Sequence, residues 1–391
     1  MKKWEKISDF LFFQEGPGVR NYQYTTSGVK LLNVANLVDG RIDLTTSERY
    51  ISNEEAYGKY KHFLADEGDL VIASSGIKVD YFDQKMGFVK KEHLPLCMNT
   101  STIRFKSLDK TILNIEYFMY YLKSQSFKNQ LSRHITGSAQ LNFGPSHLKK
   151  MEFPLVDIED QSSINSVLGN LQNQIRLKEE QLKEYDQLIK SRFVEMFVDK
   201  YEKIQVSTKL RTTSGGTPKS DQSEYYANGT IPWLTSGEVN QGRIEKTEKF
   251  ITEKGLTNSS AKWIPKKSIV IAMYGATAGK VGIIEMPTTT NQAVCAVLPH
   301  DEYNPEYLRF AFEYISEELA GKAVGGGQPN ISQAIIKDSL IFNPPLEVQI
   351  KFSAFVQHVD KLKFENELLY CVNRFTRIKQ TKLVCYKGVT L

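Results

Sequence analysis

The chain is written twice. "LVDGRID" at residues 37–43 returns as "VNQGRIE" at 239–245, an offset of 202 between Gly40 and Gly242 in a chain of 391 residues. Alone this match carries little, because Asp39-Gly40 is a favoured two-residue hairpin turn: glycine tolerates a positive φ, and aspartate tolerates it better than most residues. Its weight comes from five further matches in the same order. "GDLVIASSG" at 68–76 parallels "KSIVIAMYG" at 267–275, "MNTSTIRF" at 98–105 parallels "TNQAVCAV" at 290–297, and "NIEYF" at 114–118 parallels "NPEYL" at 304–308. "ITGSAQLNF" at 135–143 then parallels "AVGGGQPNI" at 323–331, and "IEDQ" at 158–161 parallels "LEVQ" at 346–349. The offset drifts from 202 to 188 as loop-length differences accumulate, the behaviour of a diverged duplication, whereas chance matches stand alone.

Each copy has two parts. The first, roughly 150 residues, mixes short β-branched runs with Gly and Asn turns, which predicts an α+β domain. The second is helical. Ile164, Leu168, Leu171, Ile175, Lys178, Leu182, Tyr185, Ile189, Arg192 and Met196 alternate steps of four and three, the seam of a coiled coil, with Lys178 and Arg192 as its exceptions. Phe352, Phe355, Val359, Leu362, Asn366 and Leu369 repeat the spacing, and the run becomes more polar at Asn373 and Thr376. At about 1.5 Å per residue, some 40 residues make a rod of about 60 Å, longer than a small domain is wide. Two such helices at equivalent places in a duplicated chain bury both seams by pairing antiparallel, with one globular domain near each end. The expected scheme is a first domain at 1–157, a spacer helix at 158–200, a second domain at 201–345 and a second helix at 346–391.

Composition narrows the class without naming a function. Hydrophobic residues at 41% and charged residues at 24% describe an ordinary globular protein. The formal charge of +5 permits a polyanionic partner. In "MKKWEKISDFLFFQEG" Asp9 interrupts the apolar stretch and no small-residue cleavage site comes after it, and no apolar run approaches bilayer length, so cytoplasmic residence without a membrane is expected. Cys97, Cys295, Cys371 and Cys385 form no C-x-x-C pair and the six histidines are scattered, so the cysteines read as reduced thiols and no metal site is expected.

Two similar heads on a rod can read two separated stretches of a regular polymer. The major groove of DNA returns about every 34 Å, so a rod of this length can hold two readers about one turn apart. The motifs agree. "SGGTPKSDQSEYYANGTIPWLTSGEV" at 214–239, "IVIAMYGATAGKVGI" at 269–283, "TTNQAV" at 289–294, "GGGQPNIS" at 325–332 and the "NPPLEVQ" leading into the last helix resemble those of the specificity subunit of type I restriction-modification enzymes. "GPGVRNYQY" at 16–24 is of the same style, and the resemblance covers essentially the whole chain. It implies a non-catalytic reader of double-stranded DNA whose two target-recognition domains each bind one half of an asymmetric, bipartite site, with the helices setting the unread spacer. It also implies two modification subunits that methylate adenine N6 with S-adenosylmethionine, and restriction subunits that use ATP and Mg²⁺. No cofactor is expected in this chain itself.

Three stretches mimic other chemistry. "YGATAGKV" at 274–281 ends like a phosphate-binding loop, but Tyr274 stands where the first glycine belongs and Val281 where the metal-binding hydroxyl belongs. "NPPL" at 343–346 resembles the motif by which amino-methyltransferases hold a flipped base, yet Leu346 has no ring to stack, and prolines ahead of a helix with Glu347 in its first turn are reason enough for the motif. A nuclease centre with Asp-x-Lys has one match, Asp83 to Lys85, which reads as a solvated loop. No catalytic residue is expected. The rival readings at this point are a standalone adenine methyltransferase and a coiled-coil scaffold for protein partners.

The repeat also sorts candidate contacts. If the two heads read different sequences, shared features serve the fold or phosphate, and base readout lies where the copies differ. Gln140 with Gln328, Asn142 with Asn330, and Arg41 with Arg243 are shared. The divergent pieces are Arg20 and Asn21 against Thr217 and Lys219, and Lys78 and Tyr81 against Tyr274, Thr277 and Lys280. Arg and Lys can pair with guanine O6 and N7, and Asn with adenine.

Overall fold

The two β-branched runs "LVIA" and "IVIA" become the strands Leu70–Ala73 and Ile269–Ala272, buried at all four positions because other elements cover both faces. The structure of the protein, a computed structural model, describes residues 3–134, 142–322 and 330–386, with the backbone alone described at 134 and 368–386. It divides into two units, Met1–Leu177 with Leu369–Leu391, and Lys178–Leu368, so that each unit takes part of both long helices.

In the first unit, Leu70–Ala73 lies in a four-stranded antiparallel sheet ordered Leu11–Glu15, Thr102–Ser107, Leu70–Ala73, Met86–Phe88. A second sheet is ordered Tyr50–Ile51, Val29–Leu32, Leu96–Met98, its last pair parallel. Lys3–Lys6 pairs with Glu152–Leu155. The second unit repeats this order. Thr212–Ser214, Val294–Val297, Ile269–Ala272 and Val281–Ile284 form one sheet, extended by Arg243–Ile244. Phe250–Ile251, Ile231–Leu234 and Thr288–Thr290 form the other, extended by Trp263–Ile264, with the same parallel pair. Lys203–Gln205 pairs with Leu340–Phe342. The fold is α+β and duplicated.

Each domain carries one helix whose start is set by an asparagine. Asn114 Oδ1 accepts from Glu116 N–H ahead of the helix Ile115–Leu122, and Asn304 Oδ1 accepts from Glu306 and Tyr307 N–H ahead of Pro305–Tyr314. From these helices Tyr117 donates to Pro154 O and Tyr307 to Phe342 O at 2.6 Å, so the same hydroxyl ties the same strand in both copies.

The seam residues lie on the long helices Ile158–Phe197 and Leu346–Tyr386. Both are fastened to their domains by one glutamine in the first turn. Gln161 accepts from Asn114 N–H at 2.8 Å and donates to Ile112 O at 2.8 Å and Val156 O at 2.7 Å. Gln349, 188 residues later, accepts from Asn304 N–H at 2.8 Å and donates to Glu302 O at 3.1 Å and Pro344 O at 2.9 Å. Leu168 and Ile164 join the core of the first unit. Ile189, Phe193, Phe197, Phe352, Val356 and Val359 join the core of the second, with Tyr185 and Phe355 packed against it. Ile175 is buried and Leu171, Leu182 and Leu362 are half-buried; the Leu369 side chain lies outside the described residues. Within the second unit the helices run antiparallel: Lys178 meets Asn366, Lys363 meets Asp186 at 2.6 Å, and Phe193 meets Phe352 at 5.6 Å between ring centroids. Of the seam's two exceptions, Lys178 has that polar partner, while Arg192 lies over the Phe355 ring and pairs with Glu195.

One expectation needs correction. "LVDGRID" is the hairpin Leu37–Val38 with Arg41–Ile42, and both Asp39 and Gly40 have positive φ. "VNQGRIE" is not that turn. Ser236–Gln241 winds as a 3-10 helix, only Gly242 takes positive φ, and Arg243–Ile244 pairs parallel with Val281–Ile284. With Asn240-Gln241 in place of Val38-Asp39, the segment lacks the residue that tolerates the first left-handed position. The arginines diverge accordingly. Arg41 is exposed, whereas Arg243 pairs with Glu285 at 2.9 Å, Glu306 at 2.8 Å and Asp360 at 3.4 Å, joining the sheet edge to the helix Pro305–Tyr314 and to the terminal helix as scaffold. Burial works against its charge, but Glu306 and Asp360 outweigh burial and hold its pKa above the usual arginine value.

Among the described residues no helix is long and apolar enough to cross a membrane. The paired glutamines make the fold testable. Gln161→Leu or Gln349→Leu removes three hydrogen bonds made by a buried amide, so each variant should lose about 3 kcal/mol by denaturant unfolding. Unchanged midpoints would show that the helix starts are held by packing alone.

Candidate nucleic-acid interface

In the first unit three segments converge on residues 99–102. The strand Leu11–Glu15 runs into "GPGVRNYQY", where Gly16 N–H donates to Thr102 O at 2.9 Å and a Cβ on Gly16 would overlap Asn99 O. The strand Leu70–Ala73 runs into a turn in which Ser74 N–H donates to Ser101 O at 2.8 Å and Ser75 Oγ to Ser101 Oγ at 2.6 Å. Asn142 bridges to Ser75, and Phe143 N–H donates to Ser74 O at 3.0 Å. The platform is rigid because Asn99 is buried, donating to Asn33 Oδ1 at 2.8 Å and accepting from Thr100 N–H at 2.8 Å.

The second unit builds the same junction on residues 290–293. Gly216 N–H donates to Thr290 O at 2.9 Å, and a Cβ on Gly215 would overlap that oxygen. Met273 N–H donates to Ala293 O at 2.8 Å, Tyr274 bridges to Asn330, and Ile331 N–H donates to Met273 O at 2.8 Å. Asn291 turns its side-chain oxygen back to Ala293 N–H at 3.2 Å.

Most sequence candidates stand on these segments. Arg20 and Asn21 are exposed at the turn Asn21–Gln23, which Gln23 fastens from within by donating to Glu55 at 2.6 Å and Tyr60 at 3.1 Å. Lys78 and Tyr81 are exposed at the 3-10 run Val79–Gln84. Phe82 anchors that run, its ring 5.4 Å from Phe127 and 6.1 Å from Phe143, and Lys128 donates to Asp80 O and pairs with Asp83 at 2.9 Å. The nuclease-like Asp83 and Lys85 are thus structural, since Lys85 donates to Leu37 O at 2.8 Å. They are not a free solvated loop. In the second unit the Thr217 hydroxyl is taken by Gln292, while Lys219 is exposed. Tyr274 and Lys280 are exposed around the turn Gly275–Thr277, and Thr277 is half-buried. Asn142 and Asn330 are exposed; Gln140 and Gln328 lie outside the described residues.

Sequence reasoning missed Tyr22, 87% exposed beside Arg20 and Asn21, although an aromatic in a Gly- and Asn-rich turn is a readable signal. It also missed the buried supports, above all Trp233, whose indole N–H donates to Gly216 O at 3.0 Å. No local pattern marks that contact, since it spans 17 residues.

Charge separates contact from scaffold. Among the described residues Arg20, Lys78, Lys219 and Lys280 form no ion pair, whereas Arg104 is buried against Asp69 at 3.3 Å and Gln14. Burial pushes the Asp69 carboxyl above its ordinary value, against the pull of Asp66 N–H, Lys106 and Arg104. Burial likewise pushes the Cys97 and Cys295 thiols up to about 12, which makes them inert space-filling groups. No group of three or more His, Cys, Asp or Glu able to hold a metal occurs among the described residues. The surface offers free cations, amides and tyrosines on two rigid junctions.

A profile of the type I restriction modification DNA specificity domain matches residues 15–185 and again 206–373. The chain belongs to this specificity family. Each match takes in one recognition domain and most of the helix after it. The EcoR124I/EcoR124II specificity subunit of Escherichia coli is 27% identical over 180 residues, 45% of this chain and 44% of that protein. The MjaIX specificity subunit of Methanocaldococcus jannaschii is 32% identical over 164 residues, 40% of this chain and 38% of that protein. The matched regions thus span less than half the length of these relatives. Two solved structures share the fold over almost the whole of both chains. The S subunit of a type I system from M. genitalium has a TM-score of 0.53 at 16% identity, covering 98% of this chain and 95% of that one. A chain from a structure on complex assembly and conformational transition of the type I R-M system has a TM-score of 0.60 at 14% identity, with the same coverage.

The glycine contacts give a test of the junction. Gly215→Ala should cost about 1–3 kcal/mol by thermal unfolding, because the backbone must move off Thr290. Gly18→Ala, with nothing within 4 Å of the new methyl, should leave stability unchanged. Equal stability of the two variants would show that Gly215 is not held against Thr290 as the structure has it.

Proposed function

We propose that the chain is the non-catalytic DNA-recognition subunit of a type I restriction-modification complex. Each recognition domain binds one half of a bipartite, asymmetric target, and the long helices set the unread spacer. The observation that carries this is the duplicated junction, which supports two sets of unpaired cations and exposed amide and tyrosine side chains on the same scaffold with different residues. Phosphate contacts would position each domain and a few base-edge contacts would specify. Arg20, Asn21, Lys78 and Tyr81 are the proposed readers of one half-site. Thr217, Lys219, Tyr274, Thr277 and Lys280 are those of the other, with the Thr217 hydroxyl proton donated to Gln292 so that its oxygen is left to accept. Asn142 and Asn330, which bridge the junctions, serve backbone geometry or phosphate.

The complex would add two modification subunits, which supply S-adenosylmethionine chemistry at adenine N6, and restriction subunits that use ATP and Mg²⁺. Its place is the cytoplasm, with the DNA. The decisive experiment is a map of adenine methylation in the host: one bipartite motif should be present, and deleting this gene should abolish it. A motif that survives deletion would remove the reading.

The interface and the ruler can be tested separately. Lys280→Ala and Lys219→Ala should each weaken DNA binding by about tenfold or more, equally on all sequences if the lysine meets phosphate and only on the cognate site if it meets a base. No loss on either DNA would strike that lysine from the interface. Four residues inserted next to Gly169, just past the last central-helix residue of the first core, should lengthen the spacer and leave both half-sites unchanged. An unaltered spacer would refute the helices as the ruler.

A further inference from the structure

The two long helices are copies, so each carries a seam that the equivalent helix of a second molecule could also cover. One contact bears on the choice. Lys178 Nζ donates to Asn366 Oδ1 at 2.5 Å and to Gln181 Oε1 at 3.1 Å, and Gln181 donates on to the Tyr185 hydroxyl at 3.3 Å. Asn366 is only 5% exposed, and Ile175 and Leu182 flank Lys178 along the seam.

Positions 178 and 366 differ by 188, the offset that relates Gln161 to Gln349 and Ile158 to Leu346, so they are equivalent positions of the repeat. In an antiparallel pair, the place where a residue meets its own equivalent is the midpoint of the seam. If either helix is replaced by a copy of the other, that position faces itself. Two central helices would set Lys178 against Lys178, two ammonium groups with donors and no acceptor. Two terminal helices would set Asn366 against Asn366, which is neutral. The heterologous pair matches a charged donor to a buried acceptor.

We propose that Lys178 and Asn366 are the mark by which the central helix pairs with a terminal helix and rejects the central helix of a second copy of this chain. A single polar residue at a seam position can select the partner in this way, and the repulsion in the wrong pair matters as much as the attraction in the right one. The placement of the charge suits the order of synthesis. The central helix ends at Phe197 and the terminal helix begins at Leu346, so 148 residues separate them. At roughly 5–20 residues per second the central helix waits about 7–30 s for its partner. During that interval the helices it can meet are the central helices of neighbouring chains, and it is the first-made helix that bears the charge.

The proposal stands whether or not the chain reads DNA, and its test needs no DNA. The full-length chain and the variants Lys178→Asn, Lys178→Leu, Asn366→Lys and Lys178→Asn/Asn366→Lys are refolded from denaturant over a range of concentrations. Their masses are measured by light scattering on material whose circular dichroism shows native helix content. The unaltered chain should refold as monomer, and Lys178→Asn and Lys178→Leu should form dimers at concentrations about tenfold lower. Asn366→Lys opposes two lysines within one chain and should melt earlier, and the exchange variant should restore both monomer and melting temperature. Monomer fractions in Lys178→Asn and Lys178→Leu equal to the unaltered chain's would overturn the proposal. So would an exchange variant no better than Asn366→Lys.

Discussion

Each long helix is a rod of about 60 Å whose apolar seam, Ile164 to Met196 in the central helix and Phe352 to Leu369 in the terminal one, a single small domain does not cover. Everything else in the chain accommodates that fact. Near the first domain the stripe merges into its core through Ile164 and Leu168, and near the second through Ile189, Phe193 and Phe197. Within the second unit the terminal helix supplies the rest, with Phe352 against Phe193 and Phe197. The buried glutamines Gln161 and Gln349 fix where each helix leaves its domain, because each buried amide binds three backbone groups around the helix start.

Duplication also shows what the fold can vary. The strand order, the capping asparagines Asn114 and Asn304, the tyrosines Tyr117 and Tyr307 and the helix-starting glutamines keep their bonds across the copies. Charge partners do not. The buried Arg104 with Asp69 belongs to the first unit, and the second has Ala296 and Ser268 at the matching strand positions. Arg243 joins three carboxylates in the second unit, and its counterpart Arg41 faces solvent. Backbone and amide bonds thus define the scaffold, while ion pairs are local solutions added to it. The junction loops also differ between the copies, with Arg20 and Asn21 in one against Thr217 and Lys219 in the other.

Much of this was legible without coordinates. The β-branched runs, the heptads and the ordered matches at a drifting offset establish two α+β domains and two long helices, because period and order survive divergence. The comparison of "LVDGRID" with "VNQGRIE" was misleading in one respect. It equated a hairpin with a 3-10 turn, because the shared Gly-Arg-Ile hides that only the first copy has Asp39 to take a left-handed conformation.

What the sequence determined by itself, then, is the repeated architecture, since burying the periodic apolar residues of two equivalent halves leaves few alternatives. What only the tertiary structure decided is which residues meet. Gly16 with Asn99, Ser75 with Asn142, Trp233 with Gly216 and Lys178 with Asn366 are contacts across 17 to 188 residues. No local propensity encodes them. They arise from strand and helix pairing, which decides whether a given lysine or threonine is left free to meet a ligand or is already bound within the protein.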